Sequence, residues 1–514
     1  MCQAPCAAAE ADKSSNGCEF YFQMPRFGSS LLPQSCYAAF IVNTSTTPVE
    51  LALEYEGEPL DISRSLYRTN PGDASLREHD GPIAPGESAI LFVADRPPTE
   101  VSPWYQEFYY KACPAGVVPA NVHSAPLLST GIGSSFHLKS NVPVSAVAMY
   151  PFGGAESYGP TATLLLPVAT WAKEHMLVNG WGTVDVGNPG VQIVASEDDT
   201  EVTVDPSRDI QNGLGIVGTA ARVPATYHLA KGQFLQFVQR EELSGSIVSS
   251  NKPTSVVGGH GCAFVPSESG ACDILAQQLP PFEQWGNEYV GVGYRPRTGS
   301  EHEAVPYRIV AARDGTMLDY DPVVPPGAPI TMSAGEVVTF SSGTGEAFVV
   351  RTQDAEHPIY LAAYMSGGDG DYRTGKSLGG RGDPEFVNVV PAKQYLSSYS
   401  FYADPTFAET SLVVVRAKSN GIFHDVWLEC AGTLTNFRPI GTRGEYEFVR
   451  VDLAKNRGPG DEFGDKVCRP GLQRMRSEGP FTATLWGWDV YASYAYPGGM
   501  AQRKLIDTPL VPIR

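Results

Sequence analysis

The chain alternates short apolar runs with turn-rich polar stretches from end to end. Period-two alternation, as at Val202 and Val204, predicts half-buried β-strands. One pattern recurs four times: an apolar strand, then Ser-x-x-Pro or a variant, then a second apolar strand. The copies read FHLKSNVPVSAVAMY (Phe136 to Tyr150), SIVSSNKPTSVVGGH (Ser246 to His260), FVVRTQDAEHPIYLAAY (Phe348 to Tyr364) and RMRSEGPFTATLWGW (Arg474 to Trp488). Their prolines, Pro143, Pro253, Pro358 and Pro480, lie 110, 105 and 122 residues apart, a spacing that identifies one structural module per copy.

Other elements repeat in phase with this one. Strand-turn-strand signals run from Phe40 to Leu53, Val191 to Asp205, Tyr307 to Asp321 and Leu412 to Leu428, with Asp, Asn, Gly or Ser at the turn. A turn glycine then feeds an apolar strand at Gly86, Gly232, Gly335 and Gly444. In the middle of the chain, Pro167, Pro281 and Pro391 each open a segment that predicts a single helical turn. An aromatic follows four residues later (Trp171, Trp285, Tyr395), and His175, Tyr289 or Tyr399 four beyond that. GCEFYFQM, around Phe20, resembles the strand after this element, so the first module starts there.

The expected fold is all-β: four related modules of about 100 residues, each β-sandwich-like. Soft boundaries fall near 120, 230, 330 and 435. They give an N-terminal leader or anchor at 1–17, modules at 18–120, 121–230, 231–330 and 331–435, and a C-terminal segment at 436–514 that completes the last module. The alternative is a closed propeller-like ring, with the strand near Phe20 completing the last unit. Modules longer than the roughly 40–50 residues of a propeller blade count against it.

Composition narrows the function. A total of 53 Gly and 42 Pro in 514 residues suits many short strands rather than helices. The net charge of −19, with no basic run, excludes nucleic acid as a partner. No apolar run approaches the roughly 18–20 residues of a membrane-spanning helix. Residues 1–20 lack the apolar core of a signal peptide and read as a mature start with Met added. Cys2 is then a candidate lipid anchor, or an ordinary thiol.

The nine cysteines, at 2, 6, 18, 36, 113, 262, 272, 430 and 468, form no Cys-x-x-Cys. Cys262 and Cys272 bracket one Gly/Ser/Pro loop and are expected to be bonded. Cys430 and Cys468 bracket the loop region of the last repeat and could pair likewise. The odd count leaves one over, with Cys2 the obvious candidate, and an oxidising compartment is favoured.

Few constellations carry chemistry. His260 and Cys262 could form a dyad, but a disulfide at Cys262 removes the nucleophile. Glu197, Asp198, Asp199 and Asp314 occupy matched hairpin turns, where recurrence argues for turn chemistry. Asp369, Asp371 and Asp383 share a Gly-rich loop that could hold Ca²⁺ or be solvated. The same loop carries Arg381-Gly382-Asp383, a tripeptide that could serve integrin binding. Trp171, Trp285 and Tyr395 form either a sugar-stacking platform or repeated core.

SSNGCEFYF, the block from SSNKPTSVVGGHGC through CDILAQQLPPFEQWGNEYV, and the ending GPFTATLWGWDVYASYAYPGGM carry a family resemblance. The chain resembles the N-terminal domain of the IgG Fc-binding protein family, in the form found in bacterial, notably myxobacterial, surface proteins. The likeness runs roughly from Cys18 to Met500. It implies an extracellular binding role. The resulting expectation is a secreted or envelope-anchored, non-enzymatic binding or adhesion protein at the cell exterior. Its partner is an extracellular protein or glycan. No catalytic residue is assigned, no cofactor beyond the Ca²⁺ option, and no ligand-binding residue. The rival is a secreted polysaccharide hydrolase with a site between modules, which perturbed carboxylates in one cleft would support. A structural component of a surface assembly is the third reading.

Overall fold

The computed structural model describes residues 5–28, 34–97, 110–122 and 127–511. Among these, helix is confined to Pro5–Asp12 and short 3₁₀ turns, and the remainder is an all-β assembly of sandwich-like modules.

The Ser-x-x-Pro copies are long bent strands that serve two sheets at once. In the first module the strand Phe136–Tyr150 pairs through its first half with Leu51–Tyr55 on one side and Gly17–Phe22 on the other. Its second half pairs with Tyr37–Asn43 and Thr161–Leu164. Ile247–Ala263 and Gly471–Asp489 divide their partners the same way. Proline has no N–H to give to a ladder, so it sits where one set of partners ends and the next begins. The neighbouring strands shift register opposite the bend, between Gly17 and Glu19, Ala172 and Glu174, and Leu396 and Ser398. In the third copy the break is complete. Phe348–Thr352 and Ile359–Met365 belong to separate four-stranded sheets, which shows the two-layer plan most plainly.

A repeated side chain braces three of these bends. The Tyr289 hydroxyl donates to the Ile359 carbonyl at 2.6 Å and the Tyr399 hydroxyl to the Phe481 carbonyl at 2.5 Å, each just beyond the bend proline. His175 Nε2 lies 3.2 Å from Thr254 Oγ1 at the matching place. Trp171, Trp285 and Tyr395 are buried, and the two indole N–H groups donate to Leu166 and Pro280 carbonyls. They are core, not a sugar platform. The segments that carry them contain 3₁₀ turns at Val168–Thr170, Phe282–Gln284 and Ala392–Gln394, each directly after its proline.

The modules close into a ring. The last strand of each, Thr161–Leu164, Asp273–Leu279, Glu385–Asn388 and Ala492–Pro497, packs against its counterparts in the two adjoining modules. These four inner strands therefore surround an axis. Buried polar groups knit them together: Gln278 Oε1 accepts from Leu166 N at 2.7 Å, and Asn388 Nδ2 donates to Gln278 O at 2.9 Å. Gln277 Nε2 donates to both Ala162 O and Ala495 O, reaching two other strands. Glu385 accepts from Phe386 N at 2.8 Å, Thr161 Oγ1 at 3.2 Å and Ala162 N at 3.4 Å.

The 3₁₀ linkers form a second ring at one end. Gln284 Nε2 donates to Thr170 O, Gln394 Nε2 to Gln284 O, and Arg503 N to Gln394 Oε1. Closure joins Ser14 to Ala501 by a β-bridge, with Ser15 N donating to Met500 O at 2.9 Å. The strand near Phe20 does not complete the last unit. It pairs with Phe136–Tyr150 in the first module, because its register is set by that long strand. Apart from Gly131–Ser134, which joins the second module's sheet beside Gln233–Val238, the sheets group as 17–164, 172–279, 288–388 and 396–497, so Ser88–Asp95 and Phe136–Tyr150 share one sheet across position 120.

Removing the Glu385 carboxyl would strand donors from two inner strands. Glu385→Ala is expected to lower unfolding free energy by about 3 kcal/mol, read by urea denaturation. An unchanged midpoint would show that the axis does not depend on it.

Candidate functional site

Each long strand runs away from the linker ring and turns back into its inner strand. The four connecting loops therefore emerge together at the opposite end of the ring. They are residues 151–160, 264–272 and 366–384, and the tight turn at 490–491. Three of them interlock. Gly367 N donates to Val265 O, Tyr491 N to Gly380 O and Gly382 N to Asp489 O, each at 2.8 Å. The Tyr491 hydroxyl donates to Asp369 Oδ1 at 3.0 Å. Gly380 has φ +74° and lies so close to the Tyr491 ring that a Cβ there would stand 2.9 Å from Cε2.

A buried arginine staples these loops from below. Arg297 is paired with Glu303 at 2.6 Å, both side chains at 0 % exposure. Three of its remaining N–H groups donate to Ser366 O, Arg381 O and Ser366 Oγ, each at 2.8 Å. A guanidinium that satisfies a carboxylate and three loop acceptors fixes loop geometry through charge-assisted bonds.

Beneath the staple lie three buried carboxyls: Asp273 and Glu385, which start inner strands, and Asp383, two residues before Glu385. Burial holds the Asp273 carboxyl well above the usual range, and Asp383 and Glu385 push it the same way. Burial raises Glu385 well above its ordinary value and Asp383 to about 7. Asp383 accepts from Gly368 N at 3.3 Å, while its own N–H donates to Ser493 Oγ.

Above the staple, the loops present large side chains to solvent. Tyr158, Tyr372, Val490 and Tyr491 are 45 %, 45 %, 60 % and 42 % exposed. Tyr158 and Tyr491 sit at φ +43° and +48°, a region that costs a bulky residue energy and that clusters at functional sites. Rigid, exposed tyrosines on a braced scaffold are the chemistry of a protein-recognition surface.

The positions singled out in the sequence divide around this face. Cys262–Cys272 is a disulfide with Cα atoms 5.2 Å apart, and its loop borders the 366–384 loop. Cys430–Cys468 is also bonded, away from the face. Cys6–Cys18 and Cys36–Cys113 add two bonds that the sequence reading left open. Cys2 lies outside the described residues. His260 is buried and drawn down to about 3 by burial, with Nε2 3.0 Å from Gly182 O and Nδ1 accepting from Cys262 N. Both ring nitrogens are engaged and the neighbouring sulfur is bonded, so the pair has no nucleophile.

Asp369, Asp371 and Asp383 share a loop but turn to different partners. Asp371 accepts from Ala304 N at 3.0 Å and from its own turn, and Asp369 from Tyr491. Among the described residues no group of three or more His, Cys, Asp or Glu is arranged to hold a metal ion. Arg381 is exposed, but Gly382 and Asp383 are buried, so the tripeptide's carboxylate is not at the surface. Asp198 and Asp314 do the same turn work in successive modules, accepting from Lys231 N and Ala334 N. The sequence reading missed Tyr158, Val490 and Tyr491. The signal was present in Asp-Val-Tyr-Ala, where bulky residues occupy a tight turn that ordinarily takes Gly, Asn or Asp.

The model of the IgGFc binding protein family matches residues 161–487. The chain belongs to that family. The match runs from the first inner strand to near the end of the last long strand, and so takes in two of the four loops, 264–272 and 366–384, and stops short of the turn at 490–491. The human IgGFc-binding protein is 26 % identical over 331 residues, which cover 63 % of this chain and 5 % of the relative. The chain thus spans a small fraction of that relative's length. No solved structure matches.

Two measurements test this construction. The folded chain binds the Asp383 proton up to about pH 7, whereas the unfolded chain releases it near the ordinary value of 3.8. Its stabilising contribution is therefore present at low pH and lost as pH rises through about 7. His175 and His260, drawn down to about 4 and about 3, act in the opposite sense, but below pH 6.5. Melting temperature should fall between pH 6.5 and 8, and Asp383→Asn should reduce that fall. Separately, non-reducing peptide mapping should recover Cys262 linked to Cys272; alkylatable thiols at both would refute the pairing.

Proposed function

We propose that this chain is an extracellular, non-enzymatic binding protein that docks a protein partner on the exposed-tyrosine loop face. The observation that carries this reading is the pairing of Tyr158, Tyr372, Val490 and Tyr491 at the surface with the Arg297–Glu303 staple beneath. Aromatic groups on pre-braced loops bind with little ordering cost. Four disulfides among the described residues favour an oxidising exterior. Attachment through a lipid at Cys2 fits the same picture: helix Pro5–Asp12 lies beside the first bend, near Asn141, on the linker side of the ring. The loop face would then point away from the membrane.

The hydrolase reading draws less support. The carboxyls raised by burial, Asp95, Asp273, Asp383, Glu385, Asp404 and Asp452, are all buried side chains, and Asp273, Asp383 and Glu385 lie under the loops. In the cleft between the first two modules, Glu19 is held down chiefly by a hydrogen bond from His137 and Glu54 chiefly by one from Lys139. Neither is suited to give a proton to a leaving group near neutral pH.

The relative's name makes immunoglobulin Fc the first probe, beside purified mucin and a panel of cell-surface ectodomains. Surface plasmon resonance should give saturable, reversible binding to one of them, and Val490→Glu should weaken it at least about tenfold with unchanged melting temperature. Binding indifferent to Val490→Glu, or turnover of a polysaccharide, would reverse the assignment.

A further inference from the structure

A second feature stands apart from the loop face. The seam between the first and second modules holds a cleft of about 730 Å³. Its floor is His137, 4 % exposed, with each ring nitrogen facing a carboxylate: Nε2 to Glu19 at 2.7 Å and Nδ1 to Glu54 at 2.9 Å. Both ring nitrogens are thus engaged by floor carboxylates. Lys139 Nζ adds a bond to Glu54 at 2.8 Å. Tyr21 stacks on the imidazole, with centroids 4.0 Å apart and planes at 10°. The Tyr21 hydroxyl is buried and has no hydrogen-bond partner among the described residues. Burial, Glu19, Glu54 and Asp198 all hold that phenol in its protonated form, leaving it a donor.

From this we propose that the cleft binds the neutral, hydroxyl-rich residues of a glycan. Charge, polarity and unmet bonding select this class. Lys139 and the His137 ring are already engaged by Glu19 and Glu54, so a phosphate or carboxylate ligand would meet these two carboxylates without a spare cation at the floor. The walls are Ser134, Gln233, Lys231, Asp198 and Glu56, which offer donors and acceptors side by side and little apolar surface. Sugar hydroxyls both donate and accept, and so can use such a wall in either sense. A lipid or steroid would meet a mostly polar wall here. The Tyr21 hydroxyl supplies an unspent donor, and a buried polar group that gains a partner only on binding makes recognition selective. This site lies mostly in the first module, outside residues 161–487, and does not rest on the loop face.

The test uses the full chain at neutral pH with galactose, N-acetylgalactosamine, N-acetylglucosamine, mannose, sialic acid and inorganic phosphate. Saturation-transfer NMR and calorimetry should show saturable binding of at least one neutral sugar. Tyr21→Phe keeps the ring stack and removes a hydroxyl that bonds to nothing among the described residues, so melting temperature should hold. Affinity should drop by about tenfold. Lys231→Ala, at the exposed rim, should weaken the same sugar. No neutral sugar bound, a preference for phosphate or sialic acid, or an affinity indifferent to Tyr21→Phe would each overturn the proposal. Protein binding at the loop face should be unmoved by Tyr21→Phe, so failure of either site is read separately.

Discussion

The meeting of four inner strands around one axis is the contact on which the rest of the molecule depends. It is polar as well as apolar. Gln277 and Glu385 reach from their own strands to the backbone of others, and no module alone could satisfy them. Left unpaired in the interior, such groups would cost more than their net worth when bonded. Each sandwich is therefore completed by its neighbours, and the ring is the unit that pairs these groups.

The bent strands translate that central contact outward. One half of each belongs to the inner sheet and the other half to the outer, so a displacement at the axis is carried through continuous backbone to the module's rim. Proline at the bend and a Tyr or His brace beside it keep the two halves at a fixed angle. The loops at one end are thus held by three things together: the inner strands they feed, the Arg297 staple, and one another.

The strands, the bends and the repeat were legible because their causes are local. Proline lacks a donor, glycine takes positive φ, and Asp or Asn closes a turn wherever the chain goes next. The repeating Trp171, Trp285 and Tyr395 were open to two meanings, since burial depends on what packs over them. Gln277, Gln278, Glu385 and Asn388 look in sequence like the solvent-facing positions of ordinary half-buried strands. They face other modules instead, which only the ring reveals. Cys36 and Cys113 are 77 residues apart, and their pairing follows from sheet topology and not from spacing. The loop face was hidden for a different reason. Its residues violate turn preference, and a violation reads as noise until the structure shows neighbouring loops arranged to support it.

The closure between Ser14 and Ala501 has a mechanical consequence. Both chain ends leave the ring on the linker side, and residues 505–510 continue there along Glu283 and Glu174. Tension applied through the C-terminal end would peel residues 505–510 from Glu174 and Glu283 before it reached that short β-bridge, while tension through the N-terminal end would enter at Cys18 by way of the Cys6–Cys18 disulfide. Tension between one end and a ligand on the loop face would instead pass through the body of the ring, along its long strands. The same molecule is compliant to one direction of pull and stiff to the other.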